Sequence, residues 1–181
     1  RGANVLQSCS SLVLVWRNDL DATNSGNLKT LPLHEFHEAA KARFGAFAGW
    51  NMPLTYPLGV LKEHLHTREK AGLFDISHMK LIVVSGPQAA DSIARACPLA
   101  PETISLGRSK YTFLLNDEAG IDDDIIVTRL GENRYVVVAN AGNAAQDIDT
   151  LTKAASGLDA TVEPLDRVLV ALQGPSAEGA L

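Results

Sequence analysis

The chain has 181 residues, 46% hydrophobic and 20% charged, with a formal net charge of -5. So high an apolar fraction with so small a net charge excludes a disordered chain, and no apolar run approaches the roughly 20 residues of a membrane-spanning helix. The acidic balance carries no Lys/Arg cluster that could neutralise a phosphate backbone, so neither nucleic acid nor a membrane is expected as a partner.

Cys9 and Cys97 show no CxxC spacing and no His or Cys at zinc-ligand distance, which speaks against a disulfide framework and a structural zinc and fits a reducing compartment. Residues 1–27 differ in character from the rest of the chain. Their apolar stretch Leu12 to Trp16 is too short for a signal-peptide core and has no basic region before it, while Asp19 and Asp21 argue against a transit peptide. We read them as an unstructured leader closed by the linker-like Asn24-Ser25-Gly26. The chain stops just after a new helix begins at Pro175, the pattern of a fragment.

From Leu28 the pattern becomes regular. Leu33, Phe36, Ala40 and Phe44 recur at helical spacing after Pro32, predicting a helix over 33–44 that ends at Gly45. The segment 47–57, rich in aromatics, Gly and Pro, fits neither period and reads as a structured loop. Leu58, Leu61 and Leu65 predict a second helix running to Glu69, with Gly72 as its stop. Leu81 to Ser85 is a β-branched strand, and Gly86-Pro87 opens a helix carrying Ala90, Ile93, Ala94 and Cys97. Tyr111–Leu115 and Ile121–Arg129 are strands joined by a hairpin-length loop, and Tyr135–Ala139 is a third. A helix over 143–155 and strands near 160–163 and 168–173 complete the series. The order predicts an α+β fold with mostly antiparallel sheets, close to the split βαβ arrangement. No GxGxxG follows any strand, so the common nucleotide folds have no support.

Asp122, Asp123 and Asp124 form the densest polar cluster. Alternation along a strand puts Asp122 and Asp124 on one face and Asp123 on the other, where two like charges could raise a carboxyl pKa. Acidic residues at a strand entrance are also ordinary solvated turn chemistry. The triplet is no calcium loop, because no glycine follows the acids. His34, Glu35, His37 and Glu38 fail the HExxH spacing, so no metal is expected there. His64 and His66 read as surface residues, and Ser77-His78 lacks a third group for a nucleophile. Cys97 reads as a small core residue. Phe47, Trp50, Tyr56, Met52 and Met79 could stack a flat heteroaromatic ligand, with core packing the simpler reading.

Several of these motifs coincide in order and spacing. TLPLHEFH (30–37), FAGWNMPLTY (47–56), HTREKAGLFDISHM (66–79), KYTFLLNDEAGIDDDIIV (110–127), YVVVANAGN (135–143) and ALQGP (171–175) together resemble the aminomethyltransferase, or T-protein, family of the glycine cleavage system. The resemblance covers residues 28–181. It implies a folate-binding aminomethyltransferase fold, here its N-terminal part and incomplete at Leu181. It further implies an enzyme that uses tetrahydrofolate as co-substrate, takes the aminomethyl group from the lipoyl arm of H-protein, releases ammonia and leaves 5,10-methylenetetrahydrofolate. Asp124 falls on the family's catalytic carboxylate. Met79, Tyr111, Ile126 and Asn140 fall on folate-lining positions; plain core packing is the competing account of Met79 and the stronger one for Ile126.

The family usually has an apolar residue where this chain has Asp122, which leads us to expect that Asp122 tunes Asp124. Later pocket residues of the family would lie beyond Leu181, so these residues alone are expected to bind folate poorly and not to turn over. Two other readings stay open: a folate-binding module of the iron-sulfur maturation type, which lacks the FAGW loop, and the folate domain of a dimethylglycine or sarcosine dehydrogenase, which lies after a flavin domain. A monomer is expected. The resemblance suits bacterial cytoplasm or mitochondrial matrix, and the missing transit signal favours the former.

Overall fold

A computed structural model describes residues 28–181. Along the chain the elements are β1 (Lys29–Thr30), α1 (His34–Ala39), β2 (Arg43–Phe47), β3 (Trp50–Thr55), α2 (Val60–Glu69), β4 (Gly72–Asp75), β5 (Lys80–Ser85) and α3 (Ala89–Ala96). A 3-10 turn (Pro101–Thr103) precedes β6 (Ser109–Leu115), β7 (Ile121–Gly131), β8 (Arg134–Ala139), α4 (Ala144–Ala155), β9 (Thr161–Leu165), β10 (Val170–Gln173) and α5 (Ala177–Ala180). These residues form two units, Met79–Asp166 and a second built from 28–78 with Arg167–Leu181. The α+β class with mostly antiparallel pairing is as expected. Among the described residues, no helix is long and apolar enough to cross a membrane.

The unit Met79–Asp166 is a five-stranded sheet in the order β6-β7-β8-β5-β9, every neighbouring pair antiparallel. Because β8 and β9 are both antiparallel to the β5 strand between them, they run parallel to each other, and α4 is the crossover that joins them. This is the split βαβ unit. Ile82, Val84, Leu114, Ile125, Val127, Tyr135, Val137 and Ala139 point from the sheet into a core closed by Ile93 of α3 and Leu151 of α4. Full burial of one such aliphatic side chain stabilises by about 1.5–3 kcal/mol, so this layer outweighs any single polar contact in the unit. Cys97 lies here, 4% exposed, and burial pushes its thiol up to about 12, matching the expected core role. Cys9 lies outside the described residues.

In the other unit three expectations change. The helix expected over 33–44 stops at Ala39: Lys41 takes a left-handed φ of 60° and Phe44 and Gly45 belong to β2, while Phe36 is 73% exposed. The structured loop over 47–57 is largely strand, because Ala48 (φ 48°) and Gly49 (φ 79°) make a two-residue hairpin turn of the type that matches strand twist. Pro53 is tolerated within β3 because the register slips there, and because β1 pairs only with Trp50 and Asn51. Gly72 is a strand residue, and the cap of α2 is Lys70. A side chain at Gly72 would collide with Thr67, so its smallness permits the close approach of β4 to α2.

His37 ties this unit together. Its ring nitrogens meet the Tyr56 hydroxyl and the Asp75 carboxylate, each at 2.8 Å, and Asp75 also accepts from the Ser77 backbone N–H at 2.9 Å. Burial alone would raise the Asp75 pKa; the His37 and Ser77 hydrogen bonds outweigh it and hold the carboxyl below its ordinary value. Asp75 therefore stabilises the fold above its unfolded pKa of about 3.9, a contribution lost as pH falls through the lower folded value. We expect His37→Ala to cost about 2–4 kcal/mol, since it strands a buried carboxylate, and Tyr56→Phe to cost about 1 kcal/mol. Urea denaturation of the two variants checks the order and the gap.

Candidate functional site

The cross-strand register gathers the expected residues at one end of the five-stranded sheet. Tyr111 lies opposite Ile126, Ile126 opposite Val138 and Val138 opposite Leu81, forming one row. In the next row Phe113 lies opposite Asp124, and Asn140 and Met79 adjoin the paired residues Ala139 and Lys80. Tyr111 and Asp124 are thus diagonal neighbours, within reach for a phenol and a carboxylate. Tyr111 also meets Phe113 edge-on at 5.5 Å between ring centroids. Its phenol is held above its ordinary pKa by partial loss of hydration first, then by its hydrogen bond to Asp124 and the charges of Asp124 and Asp123. Ile126 and Met79 are half-buried.

Asn140 is the hinge of the arrangement. Its amide nitrogen donates to Asp123 Oδ1 and to the Asp124 backbone carbonyl, both at 3.0 Å, with Asp124 Oδ1 at 3.4 Å. One side chain therefore holds the acid on the outer face and the acid on the inner face. The strict alternation expected across the triplet is interrupted, because the β6–β7 register slips so that Leu114 pairs with Asp123 and Leu115 with Ile121, leaving Asp122 as the extra residue. Such a bulge re-aims side chains at the end of a ladder. The carboxylate of Asp122 accepts from Asn116 Nδ2 at 2.8 Å. Asn116 is itself fixed by the N–H groups of Glu118 and Gly120, at 3.1 and 2.8 Å. Asp122 is therefore a hairpin-loop partner as well as a neighbour of Asp124.

Two acids have no role assigned from the sequence: Asp123 figures there only as a member of the acidic triplet, and Asp147 does not figure. Asp123 is 8% exposed and Asp147, in the first turn of α4, 1% exposed. Asp147 occupies a position of the helix stripe that also carries Leu151 and Ala155, which are buried apolar residues. Its carboxyl is pushed up to about 7, by burial first and then by its hydrogen bond to Asp123 and the charges of Asp123, Asp122 and Asp124. The helix dipole favours an ionised acid in the first turn, but by only about 0.3–1 kcal/mol. The opposing shift is worth about 4 kcal/mol, so burial and repulsion decide the protonation state. The one sequence signal was a charge at a core position of a helical period.

In the aromatic segment Phe47 and Trp50 lie opposite each other across the β2–β3 hairpin. Trp50 lies under Lys29 Nζ, 5.5 Å from its ring; Phe47 meets His78 edge-on at 5.8 Å; Met52 is buried. Burial lowers the His78 pKa and the charge of Asp75 partly opposes it. His64 and His66 are exposed, as expected. A cavity of about 250 Å³ in the same unit is lined by Leu33, Phe36, His37, Leu73, Asp75 and Val170. With both His37 nitrogens engaged, it offers no free base. Among the described residues no group of three or more His, Cys, Asp or Glu could hold a metal ion.

The profile of the GCVT N-terminal domain matches residues 33–181. The chain belongs to this family. It is 47% identical over 148 residues to an aminomethyltransferase of Saccharopolyspora erythraea, covering 81% of this chain and 40% of that protein. A Streptomyces coelicolor aminomethyltransferase is 45% identical over 161 residues, covering 87% of this chain and 43% of that one. Among solved structures, the glycine cleavage system aminomethyltransferase T from Bartonella henselae superposes with a TM-score of 0.83 and 61% identity, over 84% of this chain and 42% of that chain. The chain thus spans about two fifths of the length of these GCVT relatives.

The acid pair in this GCVT chain has a thermodynamic signature. Asp147 binds its proton more tightly folded, at about 7, than unfolded, at about 3.9, so its favourable contribution is complete below pH 4 and lost as pH rises through about 7. We expect the urea midpoint of the wild type to fall between pH 5 and pH 8 relative to that of Asp147→Asn, which cannot ionise. Denaturation series at the two pH values check this.

Proposed function

We propose that these residues are the first part of a longer tetrahydrofolate-dependent aminomethyltransferase, which takes the methylene of the aminomethyl-lipoyl arm of H-protein and releases ammonia. In the overall change the methylene carbon loses its bonds to sulfur and to the amine nitrogen and gains bonds to folate N5 and N10. The two N–H protons of folate end on the thiol and on ammonia. A group that accepts and returns protons beside N5 is therefore required, together with a surface that holds the ring.

The observation that carries the reading is the placement of Asp124, the family-matched acid, on an outer sheet face between the Tyr111 phenol and the Asn140 amide. In this reading Asp124 handles protons at the folate nitrogens, Tyr111 stacks on or hydrogen-bonds the ring, and Met79 and Ile126 supply apolar contact. Asn140 faces the pterin, with its amide nitrogen anchored to the two acids. The names of the relatives and their system support H-protein as the donor and the glycine cleavage system as the setting. Because the chain spans about two fifths of those relatives, we propose that residues 28–181 bind folate weakly and do not turn over by themselves, and that the enzyme is a cytoplasmic monomer meeting H-protein transiently. The FAGW segment, Phe47 to Trp50, favours the transferase over a folate-binding assembly factor, and the aminomethyltransferase relatives favour it over a dehydrogenase domain.

Ammonia release from aminomethylated H-protein and tetrahydrofolate, measured on the full-length protein, tests the assignment. Asp124→Asn should lower kcat by about a hundredfold or more, the range of a lost general acid-base group. A variant within about threefold of wild type would remove Asp124 from the role.

A further inference from the structure

We propose that Asp147 is a positioning residue for Asp124: its carboxyl group keeps a proton and donates it to Asp123, so that Asp147, Asp123, Asn140, Asp124 and Tyr111 form one hydrogen-bonded chain from the core to the outer sheet face. The proposal deepens the reading above and rests on it for its catalytic consequence.

The geometry starts from orphaned atoms. Both carboxyl oxygens of Asp147 and Oδ2 of Asp123 are buried, and as carboxylates they have no partner among the described residues. Two carboxylates cannot donate to each other, and two adjacent buried negative charges repel without the screening of water. A single proton between them satisfies both groups, and the pair then behaves as one titrating unit. The other oxygen of Asp123 is taken by Asn140 at 3.0 Å, so anchoring Asp123 leaves the Asn140 amide one orientation, in which it also reaches Asp124. Ionising Asp147 would set two charges against each other and release Asn140 from that orientation.

Among the described residues, the charges that act on Asp147 supply no cation to substitute for the proton. The groups whose charges act on Asp147 are Asp122, Asp123 and Asp124, all of β7 and all negative. On the elements packed against α4, Arg95 of α3 is exposed and engages the carbonyls of Ala154 and Ser156 at the far end of the helix, while Asp91 of α3 and Glu163 of β9 are exposed. The remaining charged groups of α4, Asp149 and Lys153, face outward. An aliphatic residue would suit the helix stripe, so the acid has a use other than packing.

The test uses the full-length protein and two variants, Asp147→Asn, which still donates a hydrogen bond but cannot ionise, and Asp147→Leu, which cannot donate. In the wild type the side-chain amide resonances of Asn140 should shift with a midpoint near pH 7, and in Asp147→Asn they should stay constant from pH 5 to 8.5. For ammonia release, Asp147→Asn should stay within about threefold of the wild-type kcat near pH 6.5 and lose the wild-type decline at higher pH. Asp147→Leu should lose about tenfold in kcat with KM for tetrahydrofolate changed less than about threefold, the pattern of a misplaced acid rather than a lost ring contact. A wild-type Asn140 amide indifferent to pH, or an Asp147→Leu enzyme with wild-type kcat, would overturn the proposal. If Asp147→Leu does not fold, the pH response of Asp147→Asn decides: its loss supports the role and its persistence refutes it. Full activity of Asp124→Asn would also take the catalytic role away; a normal Asn140 response in the same protein would then trace that failure to the functional reading, not to the Asp147–Asp123 pair.

Discussion

The amide of Asn140 is the contact on which the candidate site depends. It sits just past the end of β8, where the ladder with β7 has run out, and it joins the two faces of the sheet by donating to the Asp123 carboxylate on the inner side and to the Asp124 backbone carbonyl, with the outer Asp124 carboxylate at 3.4 Å. A strand normally keeps its faces independent, because successive side chains point apart. Here one short polar side chain couples them, so the position of an acid facing outward depends on the state of acids turned toward the core. The bulge at Asp122 serves the same end by breaking the alternation where the triplet begins.

The sheet beneath provides the rigidity that such a coupling needs. The inner residues of β5, β7 and β8 are buried apolar side chains held between neighbouring strands and the helices α3 and α4. Against this frame the acidic end is the exception, with Asp123 and Asp147 occupying space that the pattern assigns to apolar side chains. A local violation of patterning inside an otherwise consistent core is where a functional constraint is expected to show. The His37–Asp75 pair of the other unit is also buried and polar, but its partners satisfy each other, so it reads as a clamp on its own strands and helix.

Family membership and local geometry bear on different questions. The relatives identify the chain as GCVT, and it spans about two fifths of their length. The geometry adds what a family match cannot, namely which atoms hold which: a phenol on the outer acid, an amide across two acids, and a buried acid behind them.

The sequence by itself determined the elements of Met79–Asp166, because long runs such as Leu81 to Ser85 and Tyr135 to Ala139 carry a period that burial enforces. It also showed Asp124, Tyr111 and Asn140 as candidates, through their place in recurring motifs. It misread residues 33–57, where the apolar spacing of Leu33, Phe36 and Ala40 imitates a longer helix and the hairpin turn at Ala48-Gly49 depends on backbone angles that residue types only suggest. Only the tertiary structure decided that Asp123 and Asp147, 24 positions apart in sequence, share one buried space, since that pairing depends on α4 packing back over the sheet. The desolvation that governs their shared proton leaves only one local trace in the chain, the acid on the apolar stripe of α4. It exists only once the helix and the strand exclude water between them.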